Sequence, residues 1–347
     1  MTRKGGGKLR WLGACFLLIA GLGLVVCGLA WSHYQDFVAT PASGLHEERI
    51  IEIPRGAGPS RVAGLLAEQG VVSDPRLFRW FLREQQAIPR LRAGEFRFWT
   101  DQSPSEVLEV LVAGAEVGYP VTLPPGLRIE EMAERVEAAG RGSAERYVAL
   151  ARDPSFIAQA KLGIEPVPTN LEGLLLPDTY SFGRRSASED VLQAQLHAFK
   201  TFWTPRRVAR AAELGLSRYE VVTLASIVEK ETGAAEERPL IAGVFHNRLR
   251  KGMRLESDPT IIYGLKNYDG NIRRSDIRRP HPWNTYVIAA LPPTPIAAPG
   301  KEAIDGVLWP TETDAIFFVS KGDGTHHFSP TYAEHRRMVD RYQRGIR

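Results

Sequence analysis

The chain opens with one long apolar run and continues as short segments in which apolar and polar positions follow strand or helix periodicity. The 21 residues Trp11–Trp31 carry no charge. As a helix they would span about 30 Å, the thickness of a bilayer's hydrocarbon core, with a tryptophan at each interface. We therefore predict a transmembrane helix over residues 11–31. A cleaved signal peptide is the alternative, but no small-residue cleavage site follows Trp31.

The charges on either side of this run predict its orientation. Four basic side chains and no acidic one precede it in residues 1–10, whereas Asp36, Glu47 and Glu48 follow it. Loops rich in lysine and arginine tend to stay in the cytoplasm. We therefore expect a cytoplasmic tail, a single crossing of the inner membrane, and a periplasmic location for everything after residue 31.

Residues 49–140 repeat one pattern of strand, glycine, helix and glycine. The first copy begins with the strand Ile50–Pro54 and the second with Val121–Pro125, and in both copies the two glycines are 14 residues apart. A third strand and helix between the two copies end at Gly114. The repetition predicts a small domain built from strand-helix units.

Strand-helix units of this kind resemble the LysM-like modules that bind cell walls, while an α+β packing domain that only positions its neighbour is the alternative. Within these units Arg76–Gln86 is predicted to be a helix with a broad apolar face, whose aromatic residues suit a core better than a sugar platform. Residues 32–48, which contain Pro41 and Gly44, are predicted to be a linker.

The remaining residues, 141–347, are predicted to form one mainly helical domain whose last part contains loops and strands. Residues 217–250 are its strongest helical stretch, Ile316–Ser320 is predicted to be a buried strand, and Tyr332–Arg344 a final helix. The fold class expected for the whole chain is α+β, with a transmembrane helix at its N-terminus.

Charge and cysteine content exclude several classes of function. Four of the 44 basic residues precede the apolar run, which leaves 40 basic against 40 acidic residues elsewhere, a balance that argues against nucleic acid as a partner. Both cysteines, Cys15 and Cys27, lie inside the run, so the outer part has no disulfide or zinc-thiolate site. The histidines lack metal-ligand spacing and no phosphate-binding fingerprint is present. We expect neither a metal nor another cofactor.

The segment 221–232 carries the leading candidate for acid-base chemistry. Glu229 shares a helical face with an apolar stripe, by i+3, i+4 and i+7 spacing. Desolvation at that edge would raise its pKa, as a proton donor near neutral pH requires. The alternative is a solvated helix acid or one paired with Lys230 or Arg238. Glu231 points away from Glu229 and is expected to be a surface charge or to play a supporting role.

Polar and aromatic groups on the loops around this helix are candidate substrate contacts. Sugars need hydrogen-bond partners for their hydroxyl groups and aromatic contacts for their ring faces. Such groups suit an internally hydrogen-bonded loop core equally well. The candidates are Glu172, Asn247, Asp258, Asn284 and Tyr286.

Six segments follow one another in the second half of the chain: LEGLLLPDTY (171–180), ASIVEKET (225–232), FHNRL (245–249), MRLESDPTIIY (253–263), NTY (284–286) and LPPTPIAAPG (291–300). Together they resemble the MltG (YceG-like) family of endolytic murein transglycosylases. The resemblance covers the whole chain and is most specific over residues 171–300. The chain departs from the family at Thr294, where glycine is usual and a positive φ would strain threonine.

The resemblance implies a membrane-anchored lyase that cleaves the β-1,4 bond between N-acetylmuramic acid and N-acetylglucosamine in nascent peptidoglycan. It implies that cleavage leaves 1,6-anhydro-muramyl ends and terminates glycan elongation. The family's catalytic glutamate then falls on Glu229. Glycan strands are the implied partner, and peptidoglycan synthases are a further partner that the resemblance suggests.

A lytic transglycosylase needs one carboxyl group where hydrolysing glycosidases need two. The acid protonates the glycosidic oxygen, and its carboxylate then takes the proton of the C6 hydroxyl, which attacks C1 of the same sugar. One alternative is a hydrolytic muramidase that uses Asp258 or Glu172 as its second carboxylate. The other is a non-catalytic, membrane-anchored scaffold that binds peptidoglycan.

Overall fold

The computed structural model describes the backbone of residues 6–265 and 267–345, and side chains from residue 17 onward within those ranges. The chain divides into two compact units between Tyr119 and Pro120. The elements of the first unit are helix α1 (Gly6–Ala39), strand β1 (Glu48–Ile53), helices α2 (Pro59–Glu68) and α3 (Pro75–Glu84), a 3₁₀ turn (Ile88–Arg90), strand β2 (Gly94–Trp99) and helix α4 (Pro104–Ala113).

Helix α1 is longer than the apolar run that predicted it. Its segment Leu17–Ala39 is apolar enough and long enough to cross a membrane. The helix continues to Ala39 because Tyr34 and Phe37, one turn apart, are buried in the apolar core of the first unit. The first eight residues of the predicted linker, 32–48, are therefore helical, and the irregular segment is confined to residues 40–47.

The rest of the first unit is a strand-helix-helix-strand arrangement. Strands β1 and β2 pair antiparallel, with Ile51 opposite Phe96, and the alternating inward residues of β1 enter the core. Helix α3 buries Phe78 and Phe81 in that core, while Trp80 on its other side remains half exposed. The prediction that the aromatic residues of this helix are mainly core residues is therefore confirmed.

The second unit is mainly helical. Its elements are β3 (Tyr119–Leu123, which spans the division), α5 (Ile129–Ala138), α6 (Ala144–Ala151), α7 (Pro154–Ala160), β4 (Asp178–Phe182), α8 (Ser188–Phe202), α9 (Pro205–Glu213), α10 (Arg218–Glu231), a 3₁₀ turn (Ala235–Glu237), α11 (Arg238–Arg250), α12 (Asp258–Gly264), α13 (Arg274–Arg278), α14 (Lys301–Leu308), β5 (Phe317–Ser320), β6 (His326–Ser329) and α15 (Tyr332–Gln343). In the part of the chain that the structure describes, the strands form three two-stranded sheets, β1-β2, β3-β4 and β5-β6. The fold is a mixture of helix and strand, as expected.

The predicted repeat is visible in the backbone. In the first copy Gly56 and Gly70 have φ of +74° and +70°, and in the second copy Gly126 and Gly140 have φ of +81° and +69°. Glycine adopts these left-handed conformations without strain, so both copies turn at the same two points. The second copy belongs to the second compact unit, whereas the sequence grouped both copies in one module; the predicted domain limits stay a prediction.

Helix α10 forms the centre of the second unit. A capping box starts it, because the Ser217 amide donates to Glu220 Oε2 at 2.8 Å and the Glu220 amide donates to Ser217 Oγ at 3.2 Å. Every residue of 221–228 is then buried, and α11 and α14 pack against it. A helix that is apolar on all sides can meet solvent only at its ends, and this one ends at Glu231.

Candidate active site

Glu229 lies inside the protein. Its side chain is 5% exposed, and both carboxyl oxygens accept hydrogen bonds: Oε1 from Arg238 Nη2 at 2.8 Å and Oε2 from the Gly300 amide at 2.9 Å. One turn earlier on the same face, Ser226 Oγ accepts from the Ile296 amide at 3.0 Å. The loop 296–300 therefore covers the helical face that the sequence predicted to be catalytic. The ion pair with Arg238 is one of the pairings that the sequence offered as an alternative to a catalytic role for Glu229.

Glu231 lies at the opposite side of the last turn and borders a cleft of about 380 Å³. Burial is the main reason that its pKa is raised to about 7, and Asp258 adds to the shift; the Ser257 hydrogen bond and Arg248 act in the opposite direction. Among the described residues, those lining this cleft include Glu231 but not Glu229. A carboxyl group with a pKa of about 7 is partly protonated at neutral pH, as a general acid there requires, and Glu231 is the group at this cleft that meets the condition.

A buried hydroxyl network fixes the hydrogen-bond partner of Glu231. Ser257 Oγ donates to Glu231 Oε1. The Ser257 amide donates to Thr285 Oγ1 at 2.9 Å, and the Thr260 and Thr285 hydroxyls lie 2.8 Å apart. All three hydroxyl residues are buried. The short helix α12 is thereby held against the end of α10, so that the carboxyl is fixed in one position at the cleft.

Two of the predicted substrate contacts lie beside Glu231. Asp258 and Tyr286 both line the cleft, and the Tyr286 hydroxyl donates to Asp258 Oδ1 at 2.8 Å. Burial and this contact raise the pKa of Tyr286, so the phenol stays a neutral donor. The structure therefore brings these two candidates together with a titratable carboxyl group.

Arg248 lines the cleft between the carboxyl groups of Glu231 and Asp258 and the aromatic ring of Phe317. Its Nε donates to the Ile316 carbonyl at 2.7 Å and its Nη1 to the Leu255 carbonyl at 2.8 Å, and it forms a 3.3 Å ion pair with Glu256. The guanidinium also lies 5.3 Å from the centre of the Phe317 ring. Neither Arg248 nor Glu231 was a predicted substrate contact.

Glu256 is the strained residue of this cleft. Its φ of +52° lies in the left-handed region, which side chains other than glycine seldom adopt. Strain of this kind persists only where the surroundings hold it, and it is concentrated at functional sites.

The other predicted contacts lie elsewhere. Asn247 uses its amide nitrogen on the carbonyls of Thr313, at 2.8 Å, and Ala315, at 2.9 Å. Asn284 donates to three carbonyls at the end of α13 and accepts from the Tyr286 amide at 3.0 Å. Both side chains are buried and make hydrogen bonds within the protein, the Asn247 oxygen accepting from Arg250 Nη2. Their contact with substrate stays a prediction, and these positions give it no support.

Glu172 is a second carboxyl group with a strongly shifted pKa. It is buried, and burial followed by the nearby Glu130 raises its pKa to about 7. Tyr263 Oη lies 3.5 Å from its Oε2. Glu172 is not among the described residues that line the cleft at Glu231, so its role as a substrate contact or second catalytic carboxylate stays a prediction.

Thr294 is accommodated without strain. The described non-glycine residues with positive φ are Gln86, Lys161 and Glu256, so Thr294 is not in the left-handed region. Its hydroxyl accepts a hydrogen bond from Trp283 Nε1 at 2.9 Å and donates to the Pro295 carbonyl at 2.9 Å. The departure from the family pattern therefore adds a hydrogen bond and no distortion.

A protonatable carboxyl group in a cleft lined by carboxylate, phenol and aromatic groups is suited to acid-base catalysis, including the cleavage of glycosidic bonds. Residues 51–341 match the YceG-like family. The chain belongs to this family.

Curated relatives and a solved structure agree with this membership. The chain is 27% identical over 304 residues to an endolytic murein transglycosylase of Bacillus subtilis, a match that covers 84% of each chain. It is 28% identical over 317 residues to one of Streptococcus pneumoniae strain D39, which covers 83% of this chain but 57% of that longer relative. A crystal structure of a YceG-like protein from Listeria monocytogenes shares the fold, with a TM-score of 0.58 and 26% identity, over 84% of this chain and 99% of that one.

Proposed function

We propose that this protein is a membrane-anchored endolytic murein transglycosylase whose acid and base is Glu231. The observation that carries the proposal is a carboxyl group with a pKa of about 7 at the edge of an open cleft. The names of the curated relatives give the substrate class. The bond cut is the β-1,4 bond between N-acetylmuramic acid and N-acetylglucosamine, and cleavage ends elongation of the nascent strand.

The reaction is balanced with this single carboxyl group. Protonated Glu231 gives its proton to the glycosidic oxygen as the bond from that oxygen to C1 of the muramic acid breaks. The resulting carboxylate accepts the proton of the C6 hydroxyl as O6 forms a bond to C1. The products are a 1,6-anhydro-muramyl end and a free N-acetylglucosamine 4-hydroxyl, and Glu231 is protonated again. The attacking hydroxyl belongs to the same sugar, so its effective concentration is high and no water is consumed.

Replacement of Glu231 tests this assignment. In the full chain in detergent, Glu231→Gln is expected to lower the release of anhydro-muropeptides by about 10²–10⁴-fold, because glutamine cannot donate the proton. Glu213→Gln is a matched control, since Glu213 is an exposed helix acid on α9 paired with Arg210. Wild-type product release by Glu231→Gln would remove Glu231 from the mechanism.

A hydrolytic muramidase is the second candidate, because Asp258 lies in the same cleft and shifts the pKa of Glu231. A hydrolase would leave reducing ends that are one water heavier than anhydro ends. Mass spectrometry of the products decides between the two reactions. Glycan binding by wild-type protein with no product of either kind would support the scaffold.

The first unit supports two finer proposals. Helix α1 anchors the chain in the inner membrane with its basic N-terminus in the cytoplasm, and the antiparallel strand-helix-helix-strand unit is a LysM-like module that binds the wall.

Tyr268→Cys would place a thiol on an exposed surface of the second unit. Labelling of this variant in intact cells by a reagent that enters the periplasm but does not cross the inner membrane is expected, and protection until that membrane is opened would contradict the orientation. A synthase partner stays a prediction.

A further inference from the structure

The cleft extends from Glu231 to a second group of residues with a different chemistry. Phe317 on β5 and Tyr332 and His335 on α15 form what we call the aromatic wall. The Phe317 and His335 rings are stacked, with centres 5.1 Å apart and planes 21° apart. Tyr332 lies 5.8 Å from Phe317. One end of the cleft is therefore acidic and the other presents ring faces.

Packing within the unit does not account for the whole wall. Phe317 and His335 are partly buried between β5 and α15, but Tyr332 is 63% exposed. His335 Nδ1 is buried and, among the described residues, has no hydrogen-bond partner. Burial and the nearby Arg248 lower the pKa of His335, so a neutral ring faces the cleft. The exposed Tyr332 ring, beside the stacked Phe317 and His335 rings, therefore offers a ring face that no residue lining the cleft covers fully.

We infer that the aromatic wall is a saccharide-binding subsite, on which a sugar of the glycan strand stacks, beyond the two sugars that share the cut bond. This inference rests on the proposed function. Glu231, Arg248 and the aromatic wall line one continuous cleft, so we take the ligand at the wall to be the glycan strand that Glu231 cuts. A pyranose presents an apolar face of C–H groups to the Tyr332 ring and hydroxyl groups at its edge. An enzyme that cuts within a strand has to bind sugars beyond the two that share the broken bond, and the wall provides such a place.

Binding measurements on the Glu231→Gln protein separate this subsite from catalysis. In that full-length background, Tyr332→Ala is expected to weaken binding of purified uncross-linked glycan strands by about fivefold, the scale of one aromatic contact. Tyr332→Phe and Tyr332→Trp are expected to restore it, since they keep a ring face. Tyr268→Ala is the matched control, because Tyr268 is an exposed tyrosine that is not among the described residues lining the cleft.

The same substitution in the active protein gives an independent measure. Tyr332→Ala is expected to raise KM for long strands about fivefold with little change in kcat, because the lost contact is equal in the ground and transition states. Unchanged binding and KM in Tyr332→Ala, with Glu231→Gln inactive, would overturn the subsite and leave the proposed function standing. Activity that survives in Glu231→Gln would instead overturn the proposed function, whatever Tyr332 does.

Discussion

Glu229 and Arg238 form an ion pair that joins the end of α10 to the first residue of α11. The two side chains are 5% and 12% exposed, and Arg238 Nη2 lies 2.8 Å from Glu229 Oε1. The second oxygen of the same carboxylate holds the amide of Gly300, where α14 begins. One carboxylate thus ties three helices together, two residues before the group that borders the cleft. This geometry favours a positioning role for Glu229, while its catalytic role stays a prediction from the sequence.

Glu229→Gln distinguishes these two roles. If Glu229 positions the helix, the substitution removes the charge partner of a buried arginine and should lower the free energy of unfolding by about 3 kcal/mol. Urea unfolding of the full chain in detergent measures this loss. The double variant Glu229→Gln, Arg238→Met should lose less free energy of unfolding than the sum of the losses in the two single variants, because it leaves no buried charge without a partner. Loss of all cleavage in Glu229→Gln at wild-type stability would support the sequence assignment instead.

Local patterns predicted most of the elements, although they missed strand β4 and the helical residues 32–39. They did not indicate which helical face is covered. The i+2 separation correctly placed Glu229 and Glu231 on opposite sides of α10. The cover over Glu229 comes from loop contacts about 70 positions along the chain, such as that of Ile296 with Ser226. A signal for Glu231 was nevertheless present. Eight consecutive apolar or small residues at 221–228 indicate a helix that is buried on all sides, so the polar residues of its last turn were the ones placed to leave that core.

The same limit applies to the rest of the cleft. The turns of the repeat depend on glycines within one segment and were found from the sequence alone. The aromatic wall depends on α15 packing beside β5. The amide nitrogens of Asn247 and Asn284 donate to carbonyl groups of other segments. Residue type identified these asparagines as polar groups in need of partners. It did not reveal whether the partner was a sugar or the protein's own backbone.

The pH dependence of cleavage should report on Glu231. The first step needs the protonated acid, so kcat/KM is expected to fall as the pH rises above about 7, the pKa of Glu231 in the free enzyme. The Ser257 hydrogen bond favours the carboxylate. Its removal in Ser257→Ala should therefore move this decline to higher pH. The control is Ser155→Ala, which removes a hydroxyl at the exposed start of α7 and should leave the pH profile unchanged. A decline of kcat/KM at the same pH in the wild-type protein and in Ser257→Ala would show that a group other than Glu231 controls it.

Thr294→Gly would restore the residue that the family usually has, and it should destabilise this protein. Thr294 is not in the left-handed region, so glycine relieves no strain. Glycine would also remove the acceptor for Trp283 Nε1 and increase the entropy of the unfolded chain. The expected loss is about 1–2 kcal/mol. Denaturation of the two proteins under matched conditions measures it, and a gain in stability would mean that the loop adopts the glycine-type conformation in solution.

Glu256 allows strain and chemistry to be separated by a pair of substitutions. Glu256→Ala and Glu256→Gly both remove the carboxylate and its contact with Arg248, but only glycine is free of the cost of a φ of +52°. Glu256→Gly is therefore expected to be more stable than Glu256→Ala by about 1 kcal/mol. If the carboxylate serves the cleft, both should lose activity to a similar degree despite this difference. Equal stability of the two variants would show that the backbone relaxes once the glutamate is removed. Wild-type activity in both variants would show that neither the carboxylate nor the strain at this position has a role in the reaction.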